Sequence, residues 1–234
     1  SSLGAFYTTS AAGAKTDTAC YGTTTKTKYI AKANDATESV CAENGYCQGG
    51  VSVNYGSTGG RTACSGSYTL AASGSDDAND CYLKTTAGSY VKSAGAGQTT
   101  CPAGSWCVGN VVIYKGGSVS GRNTSGGSQQ CPAGYQDGTT GYSLESQCLM
   151  NVDGGHYVAS AKESTASGTC QPGYAKAAHP VTYGETSSCD PCKNATYAKD
   201  PAQESCTACP TVSGASSYGY WNTNGKEGDH TVRD

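Results

Sequence analysis

The sequence predicts a small disulfide-rich fold, mostly β and irregular, arranged as an elongated array of three related cysteine-rich units. Three observations lead to this prediction. The 234 residues include 14 cysteines, an even count that indicates a disulfide framework. Leucine, isoleucine, valine and phenylalanine together number only 21, too few for the hydrophobic core of an ordinary domain of this length. The third observation is an internal repeat, which governs the architecture before any single motif does.

The repeat is clearest in two cysteine pairs with the same five-residue spacer. CAENGYC (41–47) and CPAGSWC (101–107) both carry an aromatic residue just before the second cysteine. The stretches VSVNY and VVIY follow, and each copy then closes with a cysteine, Cys64 or Cys131. Such β-branched and aromatic runs predict short strands. No segment has a 3.6-residue apolar period over three turns, so helix is expected to be rare.

An earlier cysteine frames the repeat and extends it to a third copy. Cys20, Cys81 and Cys148 each lie nine residues before a tyrosine, and the motif V-x-Y recurs at Val53, Val112 and Val181. These spacings predict repeats at 20–80, 81–147 and 148–209, the last divergent and ending in CxxC motifs. An N-terminal arm (1–19) and a C-terminal tail (210–234) lie outside the repeats.

All fourteen cysteines are predicted to be paired, which would replace the missing core. The simplest scheme joins successive cysteines in each repeat: Cys20–Cys41, Cys47–Cys64, Cys81–Cys101, Cys107–Cys131 and Cys148–Cys170. Nested bridges Cys192–Cys206 and Cys189–Cys209 complete the terminal cluster. Sequence alone does not determine connectivity, so other pairings stay open. The spacing of the last four cysteines is also close to that of a zinc ribbon, but ten further cysteines favour disulfides over metal.

A cysteine, a short glycine-containing spacer and an aromatic residue recur along the chain. The instances are CSGSY (64–68), CPAGSW (101–106), CPAGY (131–135), CQPGY (170–174) and the looser CKNATY (192–197). Glycine allows a tight turn beside the bridge, and the aromatic ring is expected to cover the sulfurs. These turns, with the terminal CxPC…CxxCP, resemble growth-factor-receptor or ephrin-receptor-like cysteine-rich repeats. Together with the Ser/Thr/Ala/Gly-rich filler, they also resemble the surface (immobilisation) antigens of ciliated protists. The resemblance implies a structural or surface-coat role without enzyme chemistry.

Composition and motifs limit where the protein can be located and which partners it can bind. Disulfides require an oxidising compartment, so an extracellular or cell-surface protein is expected. No stretch approaches the about 20 apolar residues of a membrane span, and no basic run favours nucleic acid. Asn123 and Asn194 begin N-glycosylation sequons in predicted loops. No catalytic fingerprint is present and no cofactor is expected; the acidic run at 75–80 is interpreted as a solvated turn rather than a Ca²⁺ loop.

Two functions are compatible with these features of the sequence. The first is a structural subunit of a secreted, glycosylated extracellular filament or surface coat that assembles head to tail from copies of itself. The alternative is a cell-surface antigen or adhesion ectodomain that binds a ligand such as a carbohydrate. Exposed apolar residues at both ends favour the first, with self-assembly assigned to Leu3, Phe6, Tyr7, Tyr218, Tyr220 and Trp221. The competing interpretation is that both ends fold back on their own units.

Overall fold

The computed structural model describes residues 5–117 and 120–210, and this part of the chain is mostly strand and irregular backbone with almost no helix. The predicted fold class is confirmed to that extent. Its helical content in those ranges is three 3₁₀ helices of three residues each: Asp17–Ala19, Ala78–Asp80 and Glu145–Gln147. Each of them directly precedes one of the three cysteines that frame the repeat.

The strands are short because glycine and turn residues interrupt the chain every few positions. In chain order they are β1 (Thr9–Ser10), β2 (Cys20–Thr23), β3 (Lys28–Tyr29), β4 (Ser39–Val40), β5 (Gly45–Tyr46), β6 (Ser52–Asn54), β7 (Thr62–Ala63), β8 (Tyr82–Lys84), β9 (Ser89–Val91), β10 (Gln98–Thr100), β11 (Ser105–Trp106), β12 (Val112–Tyr114), β13 (Gln129–Gln130), β14 (Leu149–Val152), β15 (His156–Tyr157), β16 (Gly168–Thr169), β17 (Tyr174–Ala175), β18 (His179–Thr182), β19 (Asp190–Pro191), β20 (Thr196–Tyr197) and β21 (Thr207–Ala208).

Three antiparallel pairs of strands recur at equivalent places. β2 pairs with β6, β8 with β12 and β14 with β18. In each pair the first strand starts at or just after Cys20, Cys81 or Cys148, and the second is the predicted β-branched stretch. The two central residues of each pair face each other: Gly22 and Val53, Leu83 and Ile113, Met150 and Val181. All six are buried.

This register corrects one detail of the repeat. The sequence aligns Val112 with Val53. In the structure Val53 and Val181 each face the second residue after the framing cysteine, and the residue that does so in the middle pair is Ile113. The shift of one residue turns the Tyr114 ring away from that core position, because side chains alternate between the two faces of a strand. Tyr114 instead packs against Tyr82, with ring centroids 5.5 Å apart.

Each of the remaining sheets consists of two antiparallel strands. β3 pairs with β4, β9 with β10 and β15 with β16, around the three predicted tyrosines. A second group follows the cysteine–glycine–aromatic turns: β5 with β7, β11 with β13, β17 with β19 and β20 with β21. In each of these last four strand pairs the backbone N–H of the cysteine that follows the second strand, the closing cysteine, donates to the carbonyl of a turn residue. The donors are Cys64, Cys131, Cys192 and Cys209.

The described chain divides into two compact units. One lies within Ser1–Thr100 and Val108–Ser128, and the other within Cys101–Cys107 and Gln129–Asp234. The predicted division into three repeats stays a prediction.

Each unit has a small core made of tyrosine, cystine and a few aliphatic residues. In the first unit Tyr68, Cys81, Leu83, Val91 and Ile113 form a buried cluster. The corresponding residues of the second unit also cluster, with Cys131 and Val152 in addition: Tyr135, Cys148, Met150, Val158 and Val181. Tyr68 and Tyr135 thus each share a buried cluster with disulfide-bonded cysteines, while the covering of the sulfurs by the rings stays a prediction.

Six disulfides are present, and their connectivity differs from the predicted scheme. They are Cys41–Cys47, Cys64–Cys81, Cys101–Cys107, Cys131–Cys148, Cys170–Cys189 and Cys192–Cys206. Of the predicted bridges only Cys192–Cys206 is found. The other six are wrong. Tight turns bring each five-residue-spaced pair together, which leaves Cys64 and Cys131 to bond to the cysteine 17 residues later. Cys170 bonds to Cys189, within the predicted third repeat.

Twelve cysteines are therefore paired, and Cys20 and Cys209 are unpaired within the chain. The predicted scheme, which pairs all fourteen within one chain, is wrong for these two. The physical reason is spacing: Cys81 and Cys148 bond to cysteines 17 residues earlier, while the residue 17 positions before Cys20 is Leu3.

Candidate assembly and attachment sites

The described part of the N-terminal arm lies on its own unit. β1 pairs with β2, and the Phe6 amide donates to the Ala36 carbonyl over 3.2 Å. Tyr7 is 4% exposed and meets Tyr55 edge to face, with ring centroids 5.3 Å apart. Of the residues predicted for self-assembly, Phe6 and Tyr7 thus follow the fold-back alternative that the sequence left open. Leu3, Tyr218, Tyr220 and Trp221 lie outside the described residues.

Gly22 explains how the arm fits. A Cβ atom at this position would overlap the backbone and ring of Phe6. Leucine and methionine occupy the equivalent positions 83 and 150, where they are buried. Phe6 therefore fills, from a different part of the chain, the space that a side chain fills elsewhere.

Tyr7 takes the place that Tyr68 and Tyr135 take in the two core clusters. All three rings are buried, at 4%, 2% and 0% exposure. The Tyr135 ring meets Tyr183 edge to face at 5.1 Å, as Tyr7 meets Tyr55. Burial, as the largest cause, raises the pKa of all three phenols above 10.0. Among the described residues, Tyr68 donates to the Ala96 carbonyl over 2.7 Å, whereas the hydroxyls of Tyr7 and Tyr135 have no hydrogen-bond partner.

The two unpaired thiols occupy defined places in the fold. Cys20 follows a 3₁₀ helix and opens β2, and its amide donates to the Asp17 carbonyl. Cys209 closes the hairpin of β20 and β21, and its amide donates to the Ala195 carbonyl over 2.8 Å. Both side chains are half-buried. The sequence carried a signal for this finding in the absence of a cysteine 17 residues before Cys20.

The two glycosylation acceptors are accessible. Asn123 and Asn194 are both exposed, and neither lies in a strand. Asn194 lies in the turn between Cys192 and β20, where the Thr196 hydroxyl donates to the Lys193 carbonyl over 2.7 Å. The position of both side chains is compatible with covalent attachment of a glycan, which stays a prediction.

The carboxylates of the acidic run at 75–80 form hydrogen bonds and ion pairs within the chain. The Asp80 carboxylate accepts from the amides of Asp76 and Asp77 at 2.9 and 3.1 Å and pairs with the Arg122 guanidinium at 2.5 Å. Burial alone would raise the pKa of Asp80, but the hydrogen bonds from Arg122 and from those amides outweigh it and lower the pKa below 3.8. Asp76 pairs with Lys26 over 2.8 Å. The run therefore forms a turn, as the sequence predicts, but the turn is largely half-buried rather than solvated.

Arg122 links that turn to an aromatic pair. Its guanidinium carbon lies 4.4 Å from the centroid of the Tyr114 ring, a cation–π arrangement. This contact was not predicted from the sequence, although the residue pair Gly-Arg recurs at 60–61 and 121–122.

The zinc alternative for the terminal cysteines is contradicted by their bonding. Cys189 is bonded to Cys170 and Cys192 to Cys206, which removes three of the four thiolates that a ribbon needs. Within residues 5–117 and 120–210, no group of three or more His, Cys, Asp or Glu side chains has an arrangement that could hold a metal ion.

One cavity of about 390 Å³ lies in the second unit. Its lining includes Met150, Asn151, Asp153, His156 and Ser164. His156 is held by a contact of 3.0 Å between its Nδ1 and the Gly154 carbonyl. No tyrosine or tryptophan is among the described residues that line it, so it offers no aromatic platform for a sugar ring.

None of the helices in the described ranges has the length and apolar character that crossing a membrane requires. Comparison with known proteins finds no match: no family model fits the sequence, and no curated protein or solved structure is significantly similar.

Proposed function

We propose that this chain is a structural subunit of an extracellular, glycosylated filament or surface coat. In this proposal three related units follow one another along the chain, and copies assemble head to tail. The covalent cross-links of the chain are disulfides, which form and persist in oxidising compartments. A secreted or cell-surface location is therefore part of the proposal.

The observation that carries the proposal is the kind of bond that joins one predicted repeat to the next. Cys64–Cys81 and Cys131–Cys148 have the same separation of 17 residues. Each joins the closing cysteine of one strand pair to the cysteine that opens the next long-range strand pair. An architecture that adds each unit through the same link is extendable by repetition, as solenoid-like arrays are.

The recurrence of the core supports the same proposal. Buried residues recur at equivalent positions: the tyrosines Tyr7, Tyr68 and Tyr135, and the aliphatic residues Ile30, Val91 and Val158, which are each 0% exposed. Because each set of buried residues is small, disulfides and neighbouring elements have to supply stability that apolar burial does not. Exposed asparagines at 123 and 194 add sites for a glycan coat.

Electron microscopy of the full chain, secreted from a host that forms disulfides and glycosylates, tests the proposal. We expect negatively stained filaments or sheets with a regular axial repeat, and peptide mapping that finds glycans on Asn123 and Asn194. A reduced and alkylated sample is the matched control and should not assemble. Isolated particles at all concentrations would contradict the proposal and favour the alternative of an antigen or adhesion ectodomain.

A further inference from the structure

We propose that successive copies of this chain are joined by a disulfide between Cys209 of one copy and Cys20 of the next. This inference rests on the head-to-tail assembly proposed above and adds its covalent link. The two unpaired cysteines hold positions in the internal repeat that have bonded counterparts in the same chain, and those counterparts indicate what each thiol lacks.

Cys20 has the backbone setting of two bonded cysteines, but it is more exposed than they are and has no partner within the chain. Cys20, Cys81 and Cys148 each follow a three-residue 3₁₀ helix and donate their amide to the carbonyl of its first residue. Cys81 and Cys148 are bonded to Cys64 and Cys131, which lie four residues before the buried tyrosines Tyr68 and Tyr135. Tyr7 is the equivalent tyrosine, and the residue four positions before it is Leu3. Cys20 therefore has the environment of an opening cysteine and lacks a closing one.

Cys209 has the complementary set of features. Its amide donates to the Ala195 carbonyl at 2.8 Å, as those of Cys64, Cys131 and Cys192 donate to equivalent turn residues at 3.1, 2.9 and 2.9 Å. Those three closing cysteines are bonded to cysteines 17, 17 and 14 residues later. The residues at these distances from Cys209, positions 223–226, are Thr-Asn-Gly-Lys. Cys209 is thus a closing cysteine that lacks an opening one.

Each copy therefore has an unpaired opening cysteine, Cys20, and an unpaired closing cysteine, Cys209. A bond from Cys209 to Cys20 of the next copy would reproduce the link seen in Cys64–Cys81 and Cys131–Cys148. A bond between two Cys20 or two Cys209 side chains would join like with like, which occurs in none of the bonds of these cysteine classes within the described residues. The pairing is heterologous, so it continues from copy to copy and sets a direction.

Bond formation requires a two-electron oxidant, for which a low-molecular-weight disulfide such as oxidised glutathione serves. The Cys20 thiolate attacks glutathione disulfide, forming a mixed disulfide and releasing one glutathione thiolate. The Cys209 thiolate of the neighbouring copy then attacks the Cys20 sulfur, forming the Sγ–Sγ bond and releasing the second glutathione. The two thiol protons end on the two glutathione molecules, so two protein thiols and one disulfide become one protein disulfide and two thiols.

Two single variants of the full chain test the proposal. Cys20→Ser retains only the thiol of Cys209, and Cys209→Ser retains only the thiol of Cys20. On non-reducing denaturing gels, after free thiols are blocked, we expect a ladder of oligomers for the wild type, monomers for each variant alone and dimers only for the mixture. Covalent dimers of either variant alone would overturn the proposal. Because both thiols are unpaired within a chain, each variant should unfold at the temperature of the wild-type monomer.

Peptide mapping of the wild type keeps the test independent of the variants. Trypsin places Cys20 in peptide 16–26 and Cys209 in peptide 200–226. Peptide 200–226 also contains Cys206, which is bonded to Cys192, so fragmentation of the linked peptides assigns each bond to a cysteine. The expected result is a bond between Cys20 and Cys209 in the oligomer bands and its absence from the monomer band. A bond from Cys20 to any other sequence, a bond to Cys209 within a monomer, or two thiols that are capped or free in filaments would overturn the proposal.

Microscopy of the same samples separates this inference from the proposed function. Filaments whose chains run as monomers without reductant would overturn the disulfide and leave head-to-tail assembly standing. Cys209–Cys20 dimers in the variant mixture, from a wild type that forms no filaments, would support the disulfide and overturn the filament.

Discussion

The hydroxyl groups of three tyrosines at equivalent positions differ in their hydrogen bonding. Tyr68 donates to the Ala96 carbonyl at 2.7 Å, while the Tyr135 hydroxyl is buried without a partner among the described residues. Removing a bonded hydroxyl costs about 0.5–1.5 kcal/mol, whereas removing an unpaired buried one relieves a desolvation penalty of about 1–3 kcal/mol. We therefore expect Tyr68→Phe to lower the free energy of unfolding by about 1 kcal/mol and Tyr135→Phe to keep or raise it.

Denaturant unfolding of the two variants beside the wild type measures this difference, because each ring keeps its packing. Equal losses at both positions would show that the Tyr135 hydroxyl has a partner after all.

The same buried phenols make the fold sensitive to alkali. Tyr7, Tyr68, Tyr135 and Tyr142 have a pKa raised above 10.0, with burial as the largest cause in each. Because the folded pKa exceeds the unfolded one, the unfolded chain releases protons first as the pH rises. The stabilisation is complete below pH 10 and is lost as the pH passes through the folded values.

We expect the free energy of unfolding to fall above pH 10, and Tyr135→Phe to reduce the slope of that fall. Denaturant titrations across this range measure it. A slope unchanged by Tyr135→Phe would exclude this residue from the effect.

The position of a single residue was predictable where a local sequence rule determines it. It was not predictable where the register of strand pairing determines which residue faces inward. The sequons at Asn123 and Asn194 were expected in exposed loops and lie there. The alignment of Val112 with Val53 failed, because two adjacent β-branched residues, Val112 and Ile113, both suit a strand and only the pairing partner selects the inward one.

At the scale of the element, the turns after the cysteines require a backbone conformation that favours glycine. The turn residue has φ of 69° at Gly104 and 65° at Ala195, a region that disfavours a Cβ atom by about 1–2 kcal/mol. Ala195→Gly should therefore raise the free energy of unfolding by about 0.5–1 kcal/mol after the entropy of glycine is subtracted. It leaves the sequon of Asn194 intact.

The matched control is Gly104→Ala. A Cβ atom there would meet only the side chain of Gln136, at 3.5 Å or more, so the loss of about 1 kcal/mol expected from it reports backbone strain alone. Denaturant unfolding of both variants should give changes of opposite sign. The same sign for both would contradict a shared turn geometry.

The disulfide connectivity was beyond the sequence because it depends on how elements meet. Cys47 and Cys64 lie in consecutive parts of one repeat, yet Cys47 bonds back to Cys41 across a turn, with Cα atoms 5.8 Å apart. Cys64 then bonds forward to Cys81. The spacing of the cysteines allows both schemes, although the predicted one pairs fourteen cysteines and the observed one twelve. The strand pairing decides between them. The strands themselves were predictable, since β6 and β12 lie within VSVNY and VVIY.

At the scale of the whole molecule, cross-links rather than apolar volume maintain the fold. The largest clusters each combine a tyrosine and at least one disulfide sulfur with a few aliphatic residues. The composition predicted this balance, because 21 large aliphatic and phenylalanine residues among 234 cannot build a conventional core. The number of compact units was not predictable in the same way, since it depends on contacts between segments distant in the chain.

Because cross-links maintain the fold, reduction should unfold the described array completely. Each bridge contributes about 2–4 kcal/mol, so losing six removes about 12–24 kcal/mol, as much as or more than the about 5–15 kcal/mol of net stability that a folded domain holds. Circular dichroism during heating should show one cooperative transition in oxidised protein and none in excess reductant. The control is oxidised protein alkylated without reductant, which modifies only free thiols and should keep the transition. A cooperative transition that survives reduction, with twelve additional alkylated cysteines confirmed by mass, would mean that packing alone holds the fold.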